Sequence, residues 1–305
     1  MLRILTSNQP VVWVFVPLTA AALFLLSVFL GHAQWVSWPA VIAISLAARL
    51  LHLIHAESGM RSRPDSITGW VWVLMATPFI GWAPDSSWWA FPCLIQGIRM
   101  AMDLRDADGR PGLFLFMGMW WSTAVVLESA AWPLLPAMAG ALLTVRRWSV
   151  EEWLSGLIGI LAPFLLAATV QWLILGEWDT VFYSGQPQGS LPAHALWVLF
   201  PVGLGWAIRQ QSVVRATAQQ RFARQLTQSS TVLGLICIAL AYLAQPFAGW
   251  ASPEVLVVFP GMLAFGAAWG FPWLMPPGYR VTAFMPFLFL LLSLFLLLVS
   301  SPLIA

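Results

Sequence analysis

Apolar runs of roughly twenty residues recur from one end of this 305-residue chain to the other, separated by short polar segments. A run of this length is what an α-helix needs to cross the hydrocarbon core of a bilayer. The sequence therefore predicts an all-α fold, a polytopic bundle of transmembrane helices.

The composition excludes an ordinary water-soluble domain. Only 9% of the residues are charged and 60% are hydrophobic, whereas a soluble domain carries about 25% charged residues. The longest hydrophilic gap, around 209–229, is too short for a separate soluble domain. We therefore expect a single integral membrane domain over 1–305, and we expect the basic segment 209–228 to lie on the inner surface.

Eleven runs have the character of membrane spans. Two of them, 69–83 and 131–145, are short, and the sequence leaves open whether each crosses fully. The predicted spans are 11–31, 36–56, 69–83, 87–103, 113–130, 131–145, 150–175, 193–209, 230–248, 253–275 and 281–300.

The distribution of basic residues predicts the orientation. All 14 basic residues are arginines. With the N-terminus inside and eleven spans, every arginine falls on the inner side and the outer loops carry none, as the positive-inside rule requires. The prediction is N-in and C-out.

Most of the 20 tryptophans lie at ends of predicted spans. This is typical of an aromatic belt at headgroup level, so the tryptophans do not by themselves indicate a ligand. Trp120, Trp121 and Trp269 fall in mid-membrane, where we expect them to pack between helices. The predicted belt includes Trp13, Trp35, Trp38, Trp70, Trp72, Trp82, Trp88, Trp132, Trp148, Trp153 and Trp172.

Four arginines and one aspartate near the inner ends of helices form the first candidate site. Such groups can make a basic pocket that binds phosphate-bearing lipid headgroups or a partner; the alternative is that they are snorkelling anchors. Within the fourth span, Arg99 and Asp103 stand at i, i+4 and can pair. The candidate residues are Arg49, Arg61, Arg63, Arg99 and Asp103.

Glu128 is the second candidate, because it is the only acid within a span that is well separated from the inner side. A buried glutamate can carry a proton. The alternative is an interfacial glutamate that caps the turn into the next helix.

The sequence predicts neither a metal nor a cofactor. His52 and His55 stand at i, i+3 without a third ligand at suitable spacing. The two cysteines, Cys93 and Cys237, lie in separate apolar runs and give no metal spacing. Glycine-rich phosphate loops and zinc-protease or hydrolase motifs are missing from the sequence, which favours a non-enzymatic protein.

The charged stretch "RRWSVEEWLSGLIG", residues 146–159, resembles an active site but is better interpreted as a helix start. Ser149 followed by Glu152 fits a capping box, and Trp148 with Trp153 fits the hydrophobic staple around it. Arg146 and Arg147 are expected to hold this turn on the inner side.

Several motifs together carry a resemblance. An opening "SNQP" is followed by "SRPDSITGWVWVLMAT" at 62–77, then "GLFLFMGM", then "RRWSVEEWLSGLIGILAPFLL" at 146–166. Over most of residues 1–180 the chain resembles the Bacteroidota membrane proteins of domain-of-unknown-function family 6427. It departs from them in having Glu151 where a basic residue is expected and in an Asp-rich 103–108 loop. The resemblance implies an inner membrane in a diderm bacterium and transfers no activity.

Three functions are compatible with these features. The first is an inner-membrane subunit or scaffold in cell-envelope biogenesis or export, with membrane lipids and a membrane-protein partner, and no nucleic acid. The second is a transporter or flippase of a lipid or polyprenyl phosphate, which uses the arginine cluster. The third is a membrane enzyme on a lipid-linked glycan, with Glu128 or Asp179 as base.

Overall fold

The computed structural model describes residues 12–31, 33–58, 67–104, 110–176, 218–248 and 253–274. Within these ranges the regular structure is helical. The α-helices are α1 Val12–Phe29, α2 Trp38–Glu57, α3 Ile67–Ala76, α4 Asp85–Asp103, α5 Pro111–Leu127, α6 Leu134–Val145, α7 Val150–Leu175, α8 Ala218–Ala248 and α9 Phe259–Leu274. Four 3₁₀ segments accompany them, at Trp35–Ser37, Thr77–Phe79, Ser129–Ala131 and Pro253–Val258.

Local sequence explains several helix ends. Pro111 opens α5, where its missing N–H is not needed and its fixed φ suits the helix. Gly176 follows α7 with φ of 73°, the left-handed conformation that commonly ends a helix at glycine. Pro78 lies in the 3₁₀ segment directly after α3, and a proline cannot supply the N–H that would continue the α-helix.

Three of the described helices are long and apolar enough to cross a membrane: Trp35–Glu57, Val150–Ile174 and Gln220–Ala244. They fall on the predicted spans 36–56, 150–175 and 230–248. Shorter apolar helices lie on four more of the predicted spans, at Trp13–Phe29, Pro111–Leu127, Ser129–Val145 and Leu256–Trp269. The predicted spans 193–209 and 281–300 lie outside the described residues.

The helix that contains the predicted span 230–248 extends beyond it toward the N-terminus. α8 begins at Ala218 and runs unbroken for 31 residues. Residues 218–228, expected on the membrane surface, are therefore the first three turns of the same helix. Their glutamines and arginines are good helix formers. The polar composition of residues 218–228 therefore does not prevent the helix from including them.

The helices pack as a bundle around one buried apolar cluster, to which α1–α6, α8 and α9 contribute buried side chains. Sequential neighbours pack together in the pairs α1 with α2, α2 with α3 and α4 with α5; α2 also packs on α4, α3 on α9, and α6 on α8. α7 packs on α5, and within its described residues only Glu152, Gly156 and Gly159 are buried.

The bundle has two distinct ends. At the first, which we name the arginine end, the C-termini of α2, α4 and α6 meet the N-termini of α5, α7 and α8, as the contacts Arg99–Glu57, Arg146–Leu104, Ser155–Pro111 and Gln225–Thr144 show. At the opposite end, the N-terminus of α4 meets the C-terminus of α5. The arginines that the structure describes belong to the arginine-end halves of their helices or to the adjoining turns: Arg49, Arg99, Arg110, Arg146, Arg147, Arg221 and Arg224.

The tryptophans of the predicted belt differ in exposure, and their depth in a membrane stays a prediction. Trp35, Trp38 and Trp132 are exposed at the opposite end. Trp72 and Trp88 are instead fully buried, and the Trp72 indole donates a hydrogen bond of 2.9 Å to the Ile44 carbonyl of α2. Of the tryptophans expected to pack between helices, Trp121 and Trp269 are buried and Trp120 is exposed.

Candidate functional site

Glu128 lies directly after α5 and is completely buried. Its carboxylate accepts hydrogen bonds from the hydroxyl groups of Ser86, at 2.5 Å, and Ser87, at 3.1 Å, in the first turn of α4. It also accepts from the backbone N–H of Ala130, at 3.3 Å, and so caps the 3₁₀ segment that leads toward α6. The capping role expected as the alternative for Glu128 is thus present, but under protein rather than at an open surface.

The surroundings of Glu128 explain why a carboxylate is tolerated there. It faces the N-terminal turn of α4, where the unpaired N–H groups and the helix dipole favour negative charge. Two hydroxyls and an amide supply hydrogen bonds, which a buried carboxylate requires. The arrangement ties α4, α5 and the 3₁₀ segment together at one point.

Asp85, the residue before this serine pair, lies at the same end of α4. Burial raises the pKa of its carboxyl above the ordinary value of 3.8, against the opposing effect of a hydrogen bond from Ser37. Two acids therefore lie at the opposite end of the bundle, in contrast with the arginines at the other.

Arg99, predicted to pair with Asp103, instead binds Glu57 at the end of α2. Its Nε donates to Glu57 Oε2 at 2.9 Å and its Nη2 to Oε1 at 2.5 Å. This bidentate pair is the geometry that a guanidinium and a carboxylate favour. It joins α2 to α4, while Asp103 is exposed at the end of α4.

Arg49 has a different environment. It is exposed on α2, and its guanidinium carbon lies 4.5 Å from the centre of the Trp13 ring of α1. The Trp13 ring in turn lies 4.5 Å from the ring of His52. Arg49 and Arg99 thus each have their own partner, while Arg61 and Arg63, the other two arginines of the predicted pocket, lie outside the described residues, as does Asp179.

The two histidines are buried among aromatic rings. His52 lies against Trp13, and His55 lies 6.2 Å from Trp269 of α9, measured between ring centres. In the described part of the chain, His, Cys, Asp and Glu side chains form no group of three that would hold a metal ion.

Between the arginine end and Glu128, α4 is tightly packed. Its side chains from Trp88 to Ile98 include Phe91, Leu94 and Ile95, each exposed by 2% or less. Along α4, a solid apolar core separates the ion pair at Arg99 from the serines at Glu128.

The helix start at 149–152 confirms the predicted capping box. The Glu152 N–H donates to Ser149 Oγ at 3.3 Å, and the Ser149 N–H donates to Glu152 Oε2 at 2.9 Å. Trp148 and Trp153 are in contact, with ring centres 4.3 Å apart and ring planes tilted by 49°, as the hydrophobic staple predicts. Glu151, one residue earlier than Glu152, is exposed.

Glu152 does more than cap its own helix. Its second oxygen accepts from Arg146 Nη2 at 2.6 Å, and Arg146 Nη1 donates to the Leu104 carbonyl beyond α4 at 2.7 Å. Glu152 is buried and Arg146 is only slightly exposed. This three-part contact, which the sequence did not reveal, joins the end of α4 to the start of α7.

Sequence reasoning also missed the close approach of α5 and α7. A Cβ added at Gly159 would lie 2.1 Å from the Leu115 carbonyl oxygen, and one added at Gly118 would lie 2.6 Å from the Gly156 carbonyl oxygen. Ser155 donates across the same contact to the Pro111 carbonyl at 2.6 Å. The small residues at 118, 122, 155 and 159 were the available signal, since small residues at such spacing permit close packing of membrane helices.

Comparison with protein-family models, curated protein sequences and solved structures gives no match to this chain. The helices themselves define the class, a helical membrane protein in which three of the described helices are long and apolar enough to span a bilayer.

Proposed function

We propose that this protein is a non-enzymatic, multi-pass subunit or scaffold of a bacterial inner membrane, serving cell-envelope biogenesis or export. The observation that carries the proposal is the use made of the charged side chains. Glu128 and Glu152 hold helices to one another through buried hydrogen bonds and an ion pair, and Arg99 joins α2 to α4 through a more exposed pair with Glu57. Side chains engaged in this way support a fixed architecture.

The proposed topology has eleven spans, with the N-terminus inside and the C-terminus outside. It is supported by the gathering of the described arginines at one end of the bundle, because an excess of arginine marks cytoplasmic segments. The resemblance to family 6427 supports the same membrane.

The surface offered to a partner is the arginine end. Arg110, Arg147 and Arg221 are exposed there, next to or within the ends of α5, α7 and α8. Exposed guanidinium groups bind carboxylates of a partner bidentately. A membrane-protein partner with acidic inner loops fits this surface.

The alternative is a transporter or flippase of a lipid or polyprenyl phosphate, and the exposed guanidinium of Arg49 favours it. The packed interior of α4 argues against a passage from the arginine end to Glu128. An enzyme that uses Glu128 as a base has less support still, because both oxygens of this buried carboxylate already accept hydrogen bonds from neighbouring residues.

Affinity purification from native membranes in mild detergent, with quantitative protein and lipid mass spectrometry, tests the proposal. We expect a stoichiometric membrane-protein partner that is lost from an Arg147→Gln/Arg221→Gln double variant and kept by Arg49→Gln, a control that removes an arginine elsewhere. A particle of this chain alone that retains a polyprenyl phosphate would contradict the scaffold and support the transporter.

A further inference from the structure

Arg49 occupies an unusual position for a cation. It lies eight residues before the end of α2, which is one of the described helices that are long and apolar enough to cross a membrane. Ile42 and Leu46 precede it by seven and three residues, so all three share one face of the helix. All three are exposed, which places the arginine at the arginine-end limit of an apolar, lipid-facing stripe.

The contact with Trp13 leaves the hydrogen-bonding edge of Arg49 available. The guanidinium of Arg49 lies over the Trp13 ring in a cation–π contact, which does not occupy its N–H donors with a hydrogen-bond acceptor. Its five N–H donors lie in the plane of the group and point outward. Among the described residues, Arg99 and Arg146 meet carboxylates, whereas Arg49 has only the ring of Trp13.

The stack also fixes where those donors are. The buried ring of His52 also lies against the Trp13 ring, so two residues of α2 hold the indole of α1. A flexible arginine side chain placed on such a platform loses less freedom when it binds a planar or tetrahedral anion. The platform therefore presents a pre-oriented donor edge.

We propose that Arg49, held on Trp13, binds the phosphate group of an anionic phospholipid. The ligand must satisfy two neighbouring surfaces of different chemistry. Its phosphate meets the guanidinium edge, and its acyl chains meet the exposed stripe of Ile42 and Leu46 together with Val14 and Leu18 of α1. A lipid combines both features, whereas a free phosphate satisfies only the first. The inference depends on membrane insertion alone and stands or falls separately from the scaffold.

Native mass spectrometry of the full chain in mild detergent, titrated with phosphatidylglycerol, tests this site. We expect Arg49→Gln to weaken binding of the first phosphatidylglycerol about tenfold or more, the loss of one charge-assisted contact. Arg49→Lys keeps the charge but loses the planar guanidinium that lies over the Trp13 ring. It should weaken binding about threefold to tenfold. Arg110→Gln removes an exposed arginine away from Trp13 and should stay within about twofold of the wild type.

Two further titrations identify the source of the phosphate. Phosphatidylcholine has the same chains and no net charge. The wild type should bind it less tightly than phosphatidylglycerol, whereas Arg49→Gln should bind the two lipids with equal affinity. Inorganic phosphate should not displace the lipid. Equal binding of the two lipids by the wild type, displacement by inorganic phosphate, or unchanged binding by both Arg49 variants would overturn the proposal. Trp13→Leu provides the same test if the Arg49 variants fail to fold, with weakened phosphatidylglycerol binding expected.

Discussion

The helices α4 and α7 differ in both composition and surroundings. α4 carries two serines in its first turn and Arg99 near its end, yet most of its residues are buried. α7 is an almost uninterrupted run of apolar residues after its first turn, and only 6% of its apolar window is buried. The more polar helix is inside the bundle and the more apolar helix is at its edge.

The difference shows that an apolar helix of this chain need not be a buried one. Lipid tails are as apolar as leucine, so they do not drive leucine side chains into the protein. α7 can therefore leave Leu165, Leu166 and Leu173 exposed. α4 is surrounded by helices that satisfy its polar groups, as Glu128 does for Ser86 and Ser87.

The largest effect is expected where the two helices are joined. Glu152→Ala removes the carboxylate half of the capping box of α7 and the acid that pairs with Arg146, and it should lower the free energy of unfolding by about 3–5 kcal/mol, as loss of one partner from a buried pair does. Glu151→Ala, one residue away and exposed, should lower it by less than about 1 kcal/mol. Reversible unfolding in mixed SDS–detergent micelles measures both values. Equal losses would remove the distinction between the two glutamates.

A matched pair of leucines tests the comparison most directly. Leu94 in α4 is 2% exposed and Leu165 in α7 is 65% exposed. Leu94→Ala leaves a cavity and should reduce the free energy of unfolding by about 2–5 kcal/mol. Leu165→Ala exchanges one lipid contact for another, and its effect should stay below about 1 kcal/mol. If Leu165→Ala is as damaging as Leu94→Ala in the same unfolding measurement, the outer face of α7 is not simply a lipid contact.

Two glycines probe the one face by which α7 touches the bundle. Gly159→Ala places a Cβ against the Leu115 carbonyl oxygen and should destabilise the protein by about 1–3 kcal/mol, the usual effect of overpacking. Gly156→Ala has no atom within 4 Å of its new Cβ, and it should be neutral or slightly stabilising because alanine favours helix. Thermal unfolding followed by fluorescence-detected size exclusion compares the pair. A smaller shift for Gly159→Ala than for Gly156→Ala would contradict the close contact.

The smallest effect concerns Asp85 at the start of α4. Because burial raises its pKa, the folded protein holds the proton more tightly than the unfolded chain does. Stability is therefore lost as pH rises from the ordinary value of 3.8 through the raised value. Asp85→Asn should remove this loss, a gain of a few tenths of a kcal/mol, since solvent screens a half-exposed group.

Melting curves of wild type and Asp85→Asn between pH 4 and pH 7 measure the effect. The stability of the variant relative to the wild type should rise with pH. A difference that falls with pH would mean that the helix dipole, rather than burial, dominates the energy of this carboxylate.

Local features were predictable from the sequence, because the interacting residues are close in the chain. Fixed spacings around the first turn of α7 predict the capping box of Ser149 and Glu152. The same spacings predict the contact of Trp148 with Trp153. Most helix positions also follow, because each depends on the length of one apolar run.

Contacts between distant residues were not predictable in the same way. Glu57 meets Arg99, and Ser86 meets Glu128, across 42 positions each, and no spacing rule specifies such pairs. The sequence did not predict that Trp72 and Trp88 are buried between helices. A position near a span end gives the depth in the membrane but not the direction in which the side chain faces. The resemblance to family 6427 and the count of eleven spans stay predictions.

The composition of α4 has a consequence for biosynthesis. α4 is less apolar than its neighbours α2 and α5, which are among the described apolar helices. Contact with lipid alone is therefore a weak driving force for keeping α4 in the membrane. α2 is made before it and α5 after it, and these are helices on which it packs. We therefore expect stable membrane integration of α4 only once α5 has left the ribosome. Chains truncated after residue 104 should consequently be extracted from membranes more readily than chains truncated after residue 132.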